Sequence, residues 1–172
     1  MIKEQQILAI DPGTTKSGMI HATATEGEDP LAIHTAFSEI PNIELIRFLG
    51  NFKQCRISIE MVACYGMAVG REVFETCIWV GKFLREAKTA GLPVRLVYRR
   101  EVKLLLCNST KANDSNVRQA LLDIYPGSGG GKVPQVGAKK EPGPLYGVSK
   151  HAWAALGVAT VAQHSWDELY EF

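Results

Sequence analysis

The stretch that decides the fold lies near the start of the chain and reads Ile7-Leu8-Ala9-Ile10-Asp11-Pro12-Gly13-Thr14-Thr15-Lys16-Ser17-Gly18. Four consecutive apolar residues followed by Pro-Gly predict a strand that is covered on both faces and stops at Asp11. Several nucleotide and nucleic-acid enzymes hold a metal-binding carboxylate rigidly at a strand end in this way. The alternative is that Asp11 only caps the turn.

The composition is that of a globular protein, with 46% hydrophobic residues in 172. We expect residues 1–172 to form a single domain. No apolar run reaches the roughly 18 residues that cross a bilayer, and residues 1–4 lack a signal-peptide core, so we expect a soluble protein of the cytoplasm. The four cysteines form no Cys-x-x-Cys pair, which argues against a zinc knuckle or a disulfide framework.

The net charge of +1 conceals two basic stretches. Residues 95–118 contain six basic and two acidic side chains, and residues 132–150 contain four lysines and one glutamate. Clustered positive charge suits a phosphate backbone better than a small neutral substrate. A solvated surface gives similar counts, so this pattern alone leaves both interpretations open.

Periodicity and turn signals predict an α/β fold. The predicted strands are residues 6–11, 18–24, 31–37, 56–60 and 94–98. The predicted helices are residues 42–51, 69–90, 99–106, 115–124 and 147–164. Residues 127–147 are rich in glycine, proline and lysine, and we expect a mobile loop there.

The helix predicted at residues 69–90 has two apolar stripes. One contains Val73, Cys77 and Val80, and the other contains Phe74 and Ile78. A helix that is apolar on two sides usually packs against two partners. One partner is the sheet of the same chain, and the second could be another subunit.

Glu60 ends the fourth predicted strand, and the intervening helix lets this strand run parallel to the first, beside Asp11. Burying two carboxylates without a partner is costly, and a divalent cation is a natural partner. Oxygen ligands favour Mg²⁺ or Mn²⁺ over zinc, and a pair of such ions about 4 Å apart can activate water and stabilise the leaving oxygen in phosphodiester cleavage. These residues therefore predict a nuclease. The alternative for Glu60 is a salt bridge with a neighbouring arginine or lysine.

With these motifs, the sequence resembles the RuvC-type Holliday-junction resolvases, which have a ribonuclease H-like fold, and in particular their phage-borne relatives. The resemblance rests on residues 7–18, 59–62, 102–103, 111–122 and 148–162. It implies a mixed five-stranded sheet flanked by helices. It further implies a homodimer of the bacterial cell, host- or phage-encoded, that binds four-way DNA junctions and nicks two strands symmetrically with Mg²⁺, or Mn²⁺ as a substitute.

By this resemblance Asp11 and Glu60 are metal ligands. The family closes its site with acidic residues three apart at the start of the last helix, and the matching positions here are His151 and Ala154. An imidazole can bind metal or orient the attacking water, but an alanine can do neither. The missing ligand puts tight binding of a second metal ion in doubt, or leaves its task to Asp114 or to water. The alternatives are that His151 is a packed, hydrogen-bonded helix residue and that Asp114 caps a helix.

The resemblance also places basic residues along the approach to the site, where they would contact DNA phosphates. They are Arg99, Arg100, Lys103, Lys111, Arg118 and Lys150. Tyr65 lies in the loop after Glu60, where an aromatic ring could stack on an unpaired base. The alternatives are a solvated basic surface and a tyrosine packed on its own helix.

Two other functions compete with the nuclease. A branched-DNA-binding protein of the same fold with weak or no cleavage is suggested by Ala154. Sugar kinases and actin-like ATPases share the opening at residues 11–15, where they contact phosphate. They need a second similar lobe, for which 172 residues leave no room.

Overall fold

Three antiparallel strands open the structure, a computed structural model that describes residues 4–166. They are β1 (Glu4–Asp11), β2 (Lys16–Thr25) and β3 (Ala32–Pro41). Asp11 pairs with Gly18 in the register of β1 with β2. The residues from Ile7 to Ile10 are fully buried, as the uninterrupted apolar run predicts for a strand covered on both faces.

Two parallel strands complete the sheet on the other side of β1. They are β4 (Arg56–Met61) and β5 (Val94–Tyr98), which follow the helices α1 (Asn42–Leu49) and α2 (Arg71–Thr89). The strand order is β3-β2-β1-β4-β5, so the mixed five-stranded sheet is confirmed. Because β1 and β4 are parallel, their carboxyl ends lie at the same edge of the sheet.

Three further helices complete the main chain path. They are α3 (Arg99–Cys107), α4 (Asp114–Ile124) and α5 (Ala152–His164). Successive β1 side chains point to opposite faces of the sheet. Ile7 and Ala9 pack in the cluster that contains α5, whereas Leu8 and Ile10 pack in the cluster that contains α1 and α2. The sheet therefore has a separate core on each face.

The helix α5 begins later than predicted, at Ala152 instead of residue 147. Gly147 and Lys150 have φ angles of 88° and 44°, which lie in the left-handed region. A right-handed helix cannot pass through such residues, so the segment before His151 is a turn. This turn fixes where the first side chains of α5 point.

The segment 127–147 contains a short hairpin of β6 (Gly137–Ala138) and β7 (Glu141–Pro142), and its Leu145 is fully buried. The mobility predicted for this segment stays a prediction, as does the single domain predicted over residues 1–172, whose ends lie outside the described residues. Among the helices within residues 4–166, none combines the length and the apolar character that crossing a membrane requires.

Candidate active site

Asp11 and Glu60 meet at the edge of the sheet where β1 and β4 end. Ile10 pairs with Ile59, so the residues that follow are neighbours on adjacent strands. Only 18% of the Asp11 side chain and 15% of the Glu60 side chain are exposed. Both side chains line the same cleft, and the charge of Asp11 acts on the pKa of Glu60, so the two carboxyl groups are close neighbours. Residues 49 positions apart in the sequence therefore lie side by side, as the predicted parallel strands require.

Burial raises the pKa of both carboxyl groups above their ordinary values. For Glu60, burial and the charge of Asp11 together raise the pKa to about 8, against the opposing effect of Arg99. For Asp11, a hydrogen bond and the charge of His151 oppose the effect of burial. Ionising both of these buried carboxyl groups costs free energy, because neither charge is fully compensated. A divalent cation bound between them would offset that cost.

His151 is the residue just before α5, and its side chain extends to this acidic pair. Its Nδ1 lies 3.0 Å from Asp11 Oδ2, and the side chain is largely exposed on its other sides. Gly18 brings the two elements this close, because a Cβ added there would lie 2.5 Å from the carbonyl carbon and oxygen of His151. His151 is thus hydrogen-bonded at the site and is not the packed helix residue that the sequence left as an alternative.

Arg99 lies inside the acidic group, although the sequence placed it along the outer approach. Its Nη2 is 2.5 Å from Asp114 Oδ1, and its Nε is 3.9 Å from Glu60 Oε1. Glu60 therefore also makes the ion pair that was its alternative role. Hydrogen bonding to Arg99 lowers the pKa of Asp114. The side chain that caps α4 is Asn113, which accepts a hydrogen bond from the Asn116 amide, so Asp114 is not that cap.

These side chains line a cleft of about 1080 Å³. Of the predicted basic residues, Lys103, Arg118 and Lys150 line the same cleft as Arg99, whereas Arg100 and Lys111 are not among its lining residues. The Arg118 guanidinium lies 4.9 Å from the centre of the Trp153 ring. The cleft therefore has acidic groups at its floor and three further cations on its walls, of which Lys150 is paired with Glu39 over 3.3 Å.

Tyr65 lies beside the acidic pair in the loop between β4 and α2. Together with Asp11, Glu60 and Arg99 it lines a smaller cavity of about 230 Å³. Its backbone is left-handed, with φ at 45°, and its side chain is mostly exposed. The tyrosine is therefore available for contact at the edge of the site and is not packed against its own helix.

The donor atoms of the site fit a hard divalent cation. Asp11 and Glu60 contribute carboxylate oxygens, which Mg²⁺ and Mn²⁺ prefer. Across residues 4–166, no three His, Cys, Asp or Glu side chains are already grouped for metal binding. Mg²⁺ is commonly held by one or two carboxylates and completed by water and substrate phosphates, so a carboxylate pair is a sufficient protein contribution.

Asn42 is a supporting residue that sequence reasoning missed. It is almost fully buried, donates from Nδ2 to the Gly13 carbonyl over 2.9 Å and accepts from Ser17 Oγ over 2.7 Å. These bonds hold the turn that follows Asp11. The only sequence signal was a polar residue at the first position of a helix directly after Pro41.

No protein-family model matches the chain, and no curated protein matches its sequence. Solved structures do match. A structure of RuvC from Thermus thermophilus has a TM-score of 0.67 at 18% identity, covering 96% of this chain and 98% of that one. The chain has the RuvC fold. A T. thermophilus RuvC structure in complex with a Holliday junction substrate has a TM-score of 0.65 at 18% identity, covering 91% and 92% of the two chains.

The RuvC fold confirms the ribonuclease H-like α/β architecture that the sequence predicted. At 18% identity the similarity is one of backbone path, and the roles of individual side chains have to be argued from this chain's own geometry.

Proposed function

We propose that this protein is a metal-dependent endodeoxyribonuclease that resolves four-way (Holliday) or branched DNA junctions by paired nicks. The observation that carries the proposal is the proximity of Asp11 and Glu60, two largely buried carboxyl groups at the ends of adjacent parallel strands, in a cleft that Lys103 and Arg118 also line. The RuvC fold supports it, since a T. thermophilus protein with this fold has been solved with a Holliday junction substrate.

In this proposal Asp11 and Glu60 hold Mg²⁺, for which Mn²⁺ can substitute. The ion, when bound, would activate water and stabilise charge on the phosphate. His151, 3.0 Å from Asp11, is placed to orient that carboxylate or to hold the attacking water through its other nitrogen. Asp114 contributes more weakly as a ligand, because its Oδ1 is bound to Arg99.

Lys103, Arg118 and Lys150 are proposed to bind DNA phosphates inside the cleft, and Arg100 and Lys111 to bind them beyond it. Tyr65 is proposed to stack on an unpaired base at the centre of the junction, because its ring is exposed next to the acidic pair. A nuclease of bacterial recombination would act in the cytoplasm.

The proposed active form is a homodimer through α2. Val80, Phe83 and Ala87 of this helix face the core, whereas Phe74 and Ile78 on its outer side are 60% and 57% exposed. The second apolar stripe therefore has no partner within the described residues. A second copy of the chain would cover it and would place two active sites on one junction, which paired nicks require.

Cleavage of a synthetic four-way junction tests the nuclease proposal. The purified protein with Mg²⁺ is expected to convert the junction into nicked duplexes, and to leave a linear duplex of the same arm sequences intact. Excess EDTA should abolish cleavage. Equal cutting of the junction and the duplex would argue against structure selectivity, and no cutting with either Mg²⁺ or Mn²⁺ would argue against the nuclease.

A second candidate function is branched-DNA binding with weak or no cleavage. The observation that favours it is Ala154, which lines the cleft beside His151 and cannot bind metal. Tight junction binding without nicks by the natural sequence would select this function.

Sedimentation tests the dimer. Phe74→Glu and Ile78→Glu are expected to shift the protein from dimer to monomer at micromolar concentration. The matched control is Ile43→Glu on α1, because Ile43 is 56% exposed and lies on another helix. A natural protein that sediments only as a monomer, with and without DNA, would contradict the proposal.

A further inference from the structure

Arg99 is surrounded by carboxylates from three different elements. It follows β5 as the first residue of α3, which points its side chain at the edge where β1 and β4 end. It pairs with Asp114 on α4 at 2.5 Å and with Glu60 on β4 at 3.9 Å, and its charge also acts on Asp11. A guanidinium in this position already supplies one of the cations that the acidic site needs.

One nitrogen of this guanidinium makes no hydrogen bond within the described residues. Nη1 of Arg99 is buried and has no hydrogen-bond partner among the described residues. Buried N–H groups are nearly always paired. Because the Arg99 side chain lines the cleft, a ligand that contacts it there can supply the missing acceptor. In a cleft with cationic walls, the fitting acceptor is a phosphate oxygen, because guanidinium and phosphate form strong charge-assisted hydrogen bonds.

The charges of the site leave room for one divalent ion. Asp11, Glu60 and Asp114 can contribute three negative charges, and Arg99 contributes one positive charge. One Mg²⁺ would make this group neutral, and a second would leave an excess of two positive charges before DNA binds. The remaining carboxylate that lines the described part of the cleft, Glu39, is already paired with Lys150 over 3.3 Å, and Ala154 offers no ligand.

Building on the proposed nuclease function, we propose that Arg99 is a catalytic residue that takes the place of a second metal ion. Asp11 and Glu60 hold a single divalent ion, and Nη1 of Arg99 donates to a non-bridging oxygen of the scissile phosphate, while Asp114 holds the guanidinium in place. In the hydrolysis, the bond from water oxygen to phosphorus forms and the bond from phosphorus to the leaving sugar oxygen breaks. Water loses a proton and the leaving oxygen gains one, and Arg99 stabilises the charge without exchanging a proton.

Counting bound Mn²⁺ tests the number of metal ions directly. Electron paramagnetic resonance titrations are run on the natural protein alone and with nicked duplex, the reaction product, so that no cleavage occurs. One Mn²⁺ per chain is expected in both conditions. Two ions per chain in either condition would overturn the proposal. This measurement uses the natural sequence and does not depend on a variant that folds.

Arg99→Gln tests the role of the guanidinium, with Arg47→Gln as control, since Arg47 is an exposed arginine on α1. Junction cleavage by Arg99→Gln is expected to fall by about 100-fold or more, because the loss of one donor to a developing negative charge has that effect. The variant should still bind one Mn²⁺. Arg47→Gln should cleave like the natural protein.

Chemical rescue separates a cation at the phosphate from a structural ion pair. Added guanidinium ion is expected to restore part of the cleavage lost in Arg99→Ala and none of that lost in Asp11→Asn. Cleavage by Arg99→Gln within about 3-fold of the control would overturn the proposal. So would a loss of Mn²⁺ binding parallel to the loss of cleavage, because Arg99 would then only position Glu60. A natural protein that neither binds nor cuts junctions would instead overturn the proposed function.

Discussion

The site combines two kinds of position, the ends of strands and the starts of helices, and they hold their side chains differently. Asp11 and Glu60 at strand ends are 18% and 15% exposed, whereas His151 and Asp114 at helix starts are 62% and 84% exposed. The strands are fixed by hydrogen bonds on both sides and by buried neighbours. The helix starts stand at the rim of the cleft, where water screens charge and side chains can adjust.

Identical chemical groups consequently behave in opposite ways. Burial raises the pKa of Glu60 to about 8, whereas a hydrogen bond to Arg99 lowers the pKa of Asp114. The strand ends therefore hold the carboxyl groups whose ionisation is costly, because these groups are buried. The helix starts hold exposed side chains that interact with these carboxyl groups. Substitutions at the two kinds of position should therefore have effects that differ in size and in kind.

The largest effect is expected at the strand ends. Asp11→Asn and Glu60→Gln remove a carboxylate ligand and should reduce junction cleavage by roughly 1000-fold. Junction affinity, measured by gel shift with Ca²⁺ to prevent cleavage, should stay within about 3-fold, because the basic walls are unchanged. Both variants cutting at the natural rate would remove the metal-binding roles.

Gly18→Ala tests the contact between the two kinds of position, because Gly18 pairs with Asp11 and touches His151. The added methyl group overlaps backbone, so the free energy of unfolding in urea should fall by about 3 kcal/mol. Gly81→Ala is the control, since nothing lies within 4 Å of a Cβ added there. A helical alanine should leave stability equal or slightly higher. Equal effects of the two substitutions would contradict the tight contact.

The pH dependence of stability distinguishes the buried pair from the exposed acids. Folded Glu60 binds its proton more tightly than unfolded Glu60. Its contribution to the metal-free protein is therefore complete below its ordinary pKa of 4.5 and is lost as the pH rises through about 8. Between pH 6 and pH 9 in EDTA, the free energy of unfolding should fall by about 2 kcal/mol.

Glu60→Gln is the matched control, because it removes the titrating group at the same position. This variant should show a flatter profile over the same pH range. A natural protein whose stability rises across this range would contradict the buried, protonated pair.

The smallest effect is expected at the start of α5. His151→Ala should reduce junction cleavage by about 10-fold, less than the roughly 100-fold to 10,000-fold typical of a general acid or base, because water can replace an exposed imidazole. Junction affinity and melting temperature should be unchanged, because the imidazole is exposed and only its bond to Asp11 is lost. Equal losses of cleavage and affinity would indicate a role in folding.

Local sequence signals were sufficient for most of the sheet. β5 occupies the predicted residues 94–98, since Gly-Leu-Pro precedes it and a helix follows at once. The proximity of Asp11 and Glu60 followed from one inference, that a helical crossover makes the two strands parallel. The start of α5 was wrong by five residues, because no residue pattern indicated the left-handed backbone at Lys150.

The direction of Arg99 could not be predicted for a related reason. An arginine at the first position of a helix is expected to lie on the surface. Arg99 points inward because α4 and the end of β4 bring Asp114 and Glu60 close to it. The cap of α4 is equally a matter of geometry. Asn113 and Asp114 are adjacent, and both residue types are good caps. Asn113 is the cap because its backbone is extended and α4 begins at Asp114.

The sequence by itself determined the strands, the buried apolar faces and the identity of the two acids, because hydrophobic periodicity and turn residues act over a few positions. Only the tertiary structure decided the raised pKa values of the two acids, the inward direction of Arg99 and the close approach of His151 to Gly18. Each of these depends on the distance between groups far apart in the chain, and desolvation and Coulomb energies are set by such distances.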